Sequence, residues 1–393
     1  MIDFYKESER IKDELIKIRR DLHEHPELGF EEERTSNVIK DFLRNEGIEF
    51  YIVSKTGVCG IIEGKLGEGK TIGVRADIDA LPIIDKKNCS YKSKSLGRMH
   101  ACGHDAHTAI LLGSAKILNN NRHLFSGNVK LLFEPAEETT GGAPIMIKEG
   151  VLENPKVDCL IGLHVTEDTD CGKIRIKKEM INAASNPFII KIHGQGAHGA
   201  YPQNSIDPIV ISAHVITALQ TIVSREVAPV NPSVITIGSI HGGTAGNVIS
   251  DEVIIKGTIR TATKEDRILV ERRVREVTSG ICNSLRGTAD ILIEEGYPCL
   301  YNDSDMTDLV IASAKELIGM ENIVEQLNPS MGVESFAYFA NERPSAFYYL
   351  GTRNKIKKTD MPAHGSYFDI DEDSLPIGVA MQCRIIVDYL TRT

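Results

Sequence analysis

Nine residues, MHACGHDAH at 99–107, hold three histidines, a cysteine and an aspartate, separated by one glycine and small alanines. Imidazole, thiolate and carboxylate are the side chains that hold transition metals. Gly103 permits a sharp turn between Cys102 and His104, so both side chains can aim at one point. A polar loop entering a helix, with Asp105 near its N-terminus, would account for a lone histidine or cysteine. So dense a cluster favours metal binding instead. A metal takes three or four protein ligands, and the rest of the chain must supply the others.

Further carboxylates and a histidine follow apolar runs. Residues 71–76 lead into GVRADIDALP (73–82), where Asp77 and Asp79 at i and i+2 point the same way. Residues 128–133 end in LFEPAEE (132–138). Glu137 and Glu138 are adjacent, so their side chains diverge. One can bind a metal while the other keeps a free carboxylate toward substrate, as a general base requires. The run 159–163 ends in His164, and MPAHGS (361–366) places His364 in a loop. Any one of these alone reads as a solvated loop acid, a core histidine or a surface-loop histidine. Together they fall at the carboxyl ends of strands, where open α/β sheets build their sites. His364 would close the metal shell from the C-terminal part of the chain.

The elements that must position these groups follow from hydrophobic periodicity. A charged N-terminal helix continues through 11–22 and ends at His25-Pro26. His23, His25 and Glu31 to Glu33 read as a capped loop leading into a helix over 35–46. A strand–turn–strand follows at 51–63 and 71–76, with Gly67 to Gly69 in the turn. Helices over 106–118 and 143–149 flank strands over 128–133 and 159–163. From residue 184 the pattern becomes β-α-β-β-α-β: strand 187–193, helix 206–223, strands 233–240 and 248–261, helix 264–285, strand 289–295. That order is ferredoxin-like. It predicts an α+β domain over 184–298 inserted into an α/β catalytic domain made of 1–183 and 299–393, a mixed sheet flanked by helices. The latter resumes with helix 307–317, strand 346–351 and helix 374–390. The inserted domain has its own polar set: His198 in GQGAHGAYP (194–202), Asn247 in GGTAGNVI (242–249) and Arg260 in GTIRT. Turn chemistry and an ordinary ion pair would explain them, but imidazole, amide and guanidinium also form a donor set for a carboxylate or an oxyanion.

At 393 residues the chain is long enough for two domains. A net charge of −10 argues against a nucleic-acid surface. No stretch is expected to approach the length of a membrane span. The charged N-terminus lacks the apolar run of a secretory signal, so a cytoplasmic protein without membrane partners is expected. The eight cysteines show no framework spacing. Cys59, Cys159, Cys282 and Cys383 lie among apolar residues and read as small buried side chains. Only Cys102 has ligand-like neighbours.

HACGHDAH, FEPAEE, GLHV, GAHGAYP and AHG, in that order along essentially the whole chain, resemble the co-catalytic zinc metallopeptidase family of aminoacylases, carboxypeptidases and dipeptidases. The resemblance is closest to its amidohydrolase branch, with hippurate hydrolase, indole-acetyl-amino-acid hydrolases and N-acetyl-diaminopimelate deacetylase. It implies that Cys102, His104, Glu138, His164 and His364 hold one or two divalent ions, zinc or manganese, with cobalt and nickel also admitted. Cys102 looks like the bridging ligand, where other branches have an aspartate. Glu137 looks like the general base, and Asp79 the aspartate that orients the site. Asp77 falls where much of the wider family has a metal histidine, and His104 is expected to replace that ligand. The resemblance further implies a homodimer through the inserted domain. His198 would reach into the partner subunit's site, and Asn247 would help bind a substrate carboxylate. The expected substrate is an N-acyl-L-amino acid, or alternatively a short peptide cleaved by a dipeptidase or aminopeptidase. A Cys–His hydrolase using Cys102 as nucleophile would leave Glu138, His164 and His364 idle. A non-catalytic metal-binding protein would not need the base beside the ligands.

Overall fold

The strand TIGVRAD, Thr71–Asp77, is buried at every position, as a strand covered on both faces must be. The computed structural model, which describes residues 2–139 and 141–391, divides into two units. Unit 1 comprises Met1–Glu179, Tyr301–Asn328 and Ser335–Thr393, and unit 2 comprises Met180–Leu300 and Pro329–Glu334. The elements of the first segment are α1 (Phe4–Arg10), α2 (Lys12–Glu24), α3 (Glu33–Asn45), β1 (Glu49–Val53), β2 (Gly57–Glu63), β3 (Thr71–Asp77), α4 (His104–Asn120), β4 (Asn128–Glu134), α5 (Ala143–Lys148), β5 (Cys159–Asp170) and β6 (Ile174–Ile176), and β7 (Glu179–Asn182) starts at its last residue and runs into unit 2. Unit 2 holds β8 (Ala184–His193), β9 (Ala197–His198), α6 (Pro208–Thr221), β10 (Ser233–Gly242), β11 (Val248–Ile249), β12 (Glu252–Thr261), α7 (Lys264–Ser284) and β13 (Thr288–Ile293). The chain then adds β14 (Leu300–Asn302), α8 (Ser304–Ile318), β15 (Ile323–Glu325), α9 (Phe336–Glu342), β16 (Ser345–Arg353) and α10 (Ser374–Thr391).

Unit 1 is built on an eight-stranded mixed sheet in the order β1-β2-β4-β3-β5-β16-β6-β15. Its centre, β4-β3-β5-β16, is parallel. The carboxyl ends of β3 and β4 therefore open on the same edge, at Asp77 and Glu134. Helix α4 is buried nearly all round, which explains why its sequence lacks a polar face. Unit 2 is a four-stranded antiparallel sheet in the order β10-β12-β8-β13. Its β-α-β-β-α-β succession and strand order are ferredoxin-like. Along α7, Val270, Val274, Thr278 and Cys282 recur at every fourth position and are buried. They pack with Phe188, Ile190 and Ile192 of β8 and the α6 stripe Ile211, Val215 and Leu219.

Several expected elements are corrected by this structure. The N-terminal helix is two helices, broken at Ile11. The strand expected over 51–63 is the antiparallel hairpin β1–β2, because Ser54 and Lys55 take positive φ values of 52° and 68° and turn the chain. Strand β4 then lies between β2 and β3. The strand expected at 159–163 runs on to Asp170, so His164 sits inside β5 opposite Tyr349 of β16 and not at a strand end. The ladder with β16 carries β5 past its apolar run. The strand expected over 248–261 is interrupted between β11 and β12. His23 is not in a loop: it is a fully buried residue of α2. Finally, the helix Pro208–Glu226 reaches 19 residues at mean hydropathy 1.2, enough by length and composition to cross a membrane. Its residues Ile211, Val215, Leu219 and Ile222 belong to the core of unit 2.

Candidate metal centre

At the loop 99–107 the chain turns through Gly103, whose φ is +89°. A Cβ at this position would collide with Val165 Cγ2, so the residue is fixed both by its backbone and by its surroundings. His104 begins α4 immediately afterwards. The turn thus sends the Cys102 and His104 side chains toward one point at the start of α4.

Five side chains from four segments of unit 1 converge there. The ligand atoms of Cys102, His104 and His164 lie within 4.8 Å of one another, as do those of Cys102, Glu138 and His364, so Cys102 belongs to both groups. His164 Nε2 is 3.4 Å from Cys102 Sγ, while its Nδ1–H donates to the Val165 carbonyl at 2.6 Å. That bond fixes the tautomer with Nε2 free. His104 is oriented by Asp79 Oδ1, 3.2 Å from its Nδ1. Asp79 Oδ2 accepts the Glu138 amide at 3.0 Å, so one carboxylate aligns two members of the cluster. His364 has φ +61°, is more than half exposed, and places Nε2 3.2 Å from Glu138 Oε1. Its backbone amide donates to the Ala101 carbonyl at 2.8 Å, which ties the 361–366 loop to the residue before Cys102.

The donor set fits a divalent ion. His104 Nε2 is buried without a hydrogen-bond partner among the described residues, and an orphaned buried polar atom of this kind needs a compensating group. Charge is concentrated here. Burial opposes ionisation of His104, but Asp77 and Asp79 outweigh it and raise its pKa well above the usual imidazole value. Burial likewise opposes the Glu138 carboxylate, and His364 and His104 overcome it and lower its pKa. The Cys102 thiol is pushed well up by burial and by the Glu138 charge. A cation at the centre of the cluster would replace these protons.

Glu137 is buried beside Glu138 and belongs with His104 and Glu138 to a third group within 4.8 Å. Its Oε1 accepts the Ser335 amide at 3.0 Å. Ala136 before it takes φ +56°, and the two glutamates, expected to diverge, each bring a carboxylate oxygen to this same group.

Asp77 forms a further group with His104 and His107 within 4.8 Å, but both of its oxygens have protein partners. Its Oδ2 accepts from Arg75 Nη1 at 2.6 Å, and its Oδ1 lies 2.5 Å from His107 Nδ1. His107 Nε2 accepts the Val165 amide at 2.8 Å, so Nδ1 carries the proton and both ring nitrogens are used. Burial lowers the pKa of His107 to about 4. Arg75 also donates to Glu134 Oε2 at 2.7 Å and to Ser335 Oγ at 2.9 Å.

The remaining expected residues belong to unit 2. His198 pairs with Val248 across β9 and β11, and its exposed imidazole accepts the Ala200 amide at Nδ1, 3.1 Å away. The Asn247 carbonyl accepts the Gly199 amide at 2.8 Å. Among the described residues Arg260 does not form the ordinary ion pair considered above. It donates to the Met331 carbonyl at 3.4 Å, and burial lowers its pKa. Sequence reasoning missed Arg75, Ser335 and the neutral role of His107. The arginine inside an otherwise apolar strand was the available signal.

The family model for peptidase family M20/M25/M40 matches residues 73–388. Thermostable carboxypeptidase 1 of Saccharolobus solfataricus is 38% identical over 96% of this chain and 96% of its own length. N-acetyl-L-cysteine deacetylase of Bacillus subtilis is 41% identical over 93% of this chain and 85% of its own. Among solved structures, a dinuclear metal-binding peptidase of the M20 family from Bacillus subtilis superposes with a TM-score of 0.85 at 34% identity, covering 97% of this chain and 99% of that one.

Proposed function

Because the chain belongs to peptidase family M20/M25/M40 and is a hydrolase of amide or peptide bonds, we propose that it is a metal-dependent amidohydrolase that splits N-acyl-L-amino acids into a free amino acid and a carboxylic acid. The observation that carries this reading is the pair of three-residue groups sharing Cys102, with the Glu137 carboxylate beside them. In it, Cys102, His104, Glu138, His164 and His364 would hold one or two divalent ions, with Cys102 common to both groups. When bound, the ions lower the pKa of a water and polarise the scissile carbonyl. Glu137 takes the proton from that water and returns it to the leaving amine. Asp79 keeps His104 and the Glu138 segment aligned. His198, supplied by a second copy of the chain, stabilises the oxyanion. Asn247 and Arg260 take the substrate carboxylate, and Arg260 suits this because burial without a paired carboxylate leaves its charge uncompensated. The donor set admits zinc, manganese, cobalt or nickel.

The deacetylase at 41% identity supports the N-acyl substrate. The carboxypeptidase at 38% identity supports a second reading, hydrolysis of short peptides. Homodimerisation through unit 2 is supported by β10, which is a sheet edge and exposes Val234 and Ile240. The test is a panel of N-acetyl- and N-benzoyl-amino acids and dipeptides, offered to metal-stripped protein with each of the four metals restored. Release of amino acid from acyl substrates only with metal is the expected result. Turnover restricted to dipeptides would favour the second reading, and turnover that survives chelation would sink both.

A further inference from the structure

The segment HEHPELGFEE, 23–32, carries a density of histidine and glutamate that the proposed chemistry does not use. In the structure it reaches three of the segments that bear proposed site residues, each time one residue away from such a residue. His23 Nδ1 is 2.6 Å from Asp105 Oδ2, next to His104. Lys87 Nζ lies 2.9 Å from His23 Nε2, and Asp85 Oδ2 lies 3.4 Å from the same nitrogen. The Glu27 carbonyl accepts the Ala80 amide at 2.8 Å, next to Asp79, and Leu28 bridges Ala80. Glu32 Oε1 accepts the Ala136 amide at 2.8 Å, next to Glu137.

We propose that residues 23–32 are a positioning brace for the centre, with Glu32 its decisive member. This rests on the reading of Glu137 and Glu138 as base and ligand. Glu32 is fully buried and its second oxygen accepts from Thr56 Oγ1 at 2.6 Å, so the carboxylate cannot swing away. It grips Ala136, a non-glycine residue at φ +56°. A left-handed alanine persists only where its surroundings over-determine it. Gly29 closes the other side: a Cβ there would come within 2.9 Å of Ala136 Cα. The Ala136 turn leads directly into Glu137 and Glu138, whose carboxylates reach the cluster, so the brace acts on the reaction through the turn.

The test compares Glu32→Ala with Glu32→Gln, which keeps an acceptor for the Ala136 amide. Three quantities are read: Mn²⁺ affinity by titration, amide exchange of the 130–139 peptide, and kcat and KM on the best substrate of the panel. Outer partners of metal ligands are worth about 10–100-fold in affinity or activity. Glu32→Ala should lose that factor in Mn²⁺ affinity and kcat, keep KM, and speed exchange in that peptide alone, while Glu32→Gln stays near wild type. Gly29→Ala keeps every hydrogen bond but presses on Ala136. It should act in the same direction, and it decides the matter where Glu32→Ala does not fold. Unchanged affinity and exchange in Glu32→Ala would overturn the proposal. So would equal damage in both Glu32 variants with exchange raised throughout unit 1, the mark of a merely structural residue. If the wild type turns over nothing on the panel, the affinity and exchange arms still decide the brace, and the failure belongs to the functional reading.

Discussion

Arg75 and Asp77, two residues apart on β3, form a fully buried ion pair at 2.6 Å. Residues i and i+2 share a face of a strand, so the pair is a local product of strand geometry at the edge of the metal centre. Burial opposes ionisation of Asp77, but Arg75 overrides it and holds the carboxyl well below the usual range. Both oxygens are then occupied, one by Arg75 and one by His107. We therefore expect Asp77→Ala to leave the number of bound ions unchanged while costing about 3–5 kcal/mol of stability, the range for breaking a buried pair. Metal analysis beside thermal unfolding checks this. Loss of one ion per subunit at unchanged stability would make Asp77 a ligand.

Ser335 links that pair to the base. Its hydroxyl accepts from Arg75 and donates to Glu134 Oε1 at 2.6 Å, and its amide donates to Glu137. Ser335→Ala removes the hydroxyl that anchors this amide. A loosening worth about 1.4 kcal/mol in the transition state lowers kcat about tenfold, with KM and metal content kept. Steady-state kinetics at saturating metal would show it, and an unchanged kcat would mean that the Glu137 carboxylate holds its place unaided.

Acid should weaken unit 1 through its buried carboxylates. Burial opposes ionisation of Asp85, but His23 and the Ser93 and Lys87 amides outweigh it and lower its pKa to about 2. Burial also opposes Asp105, where Arg19 and His23 prevail, and Arg19 and Lys87 do the same for Asp369. For a lowered carboxyl the stabilisation is fully present above the unfolded pKa of about 3.9 and is lost as pH falls toward the folded value. Asp85 alone contributes about 2 kcal/mol by this linkage. These carboxylates should make unfolding temperatures fall below about pH 4, on top of a loss that begins below about pH 6.5 because His107, held at about 4, resists protonation in the fold. Asp85→Asn should flatten part of that fall. An acid limb identical to that of the wild type would remove Asp85 from the account.

The hydrophobic periodicity made the two-part organisation and most elements legible, because the β-α-β-β-α-β run and the buried strands carry long, one-sided patterns. The short edge pieces β6 and β15 did not show, since three-residue strands have no period to read. Strand ends were also hidden: β5 continues through the polar Thr166 to Asp170 because β16 pairs with it, and pairing is not written in hydropathy. At the centre, ligand-type residues were visible by chemistry and spacing. Ser335, His23 and Glu32 were not, because their partners lie far away in sequence: Glu32 and Ala136 are 104 residues apart.

The most direct test of the central claim is Glu137→Gln, with turnover and bound metal measured on the same preparation. Loss of a general base costs about 10²–10⁴ in rate. The account predicts that kcat falls by about that factor while the number of ions per subunit stays that of the wild type. Turnover near wild type would contradict it, and loss of metal together with activity would make Glu137 a ligand and leave the base unassigned.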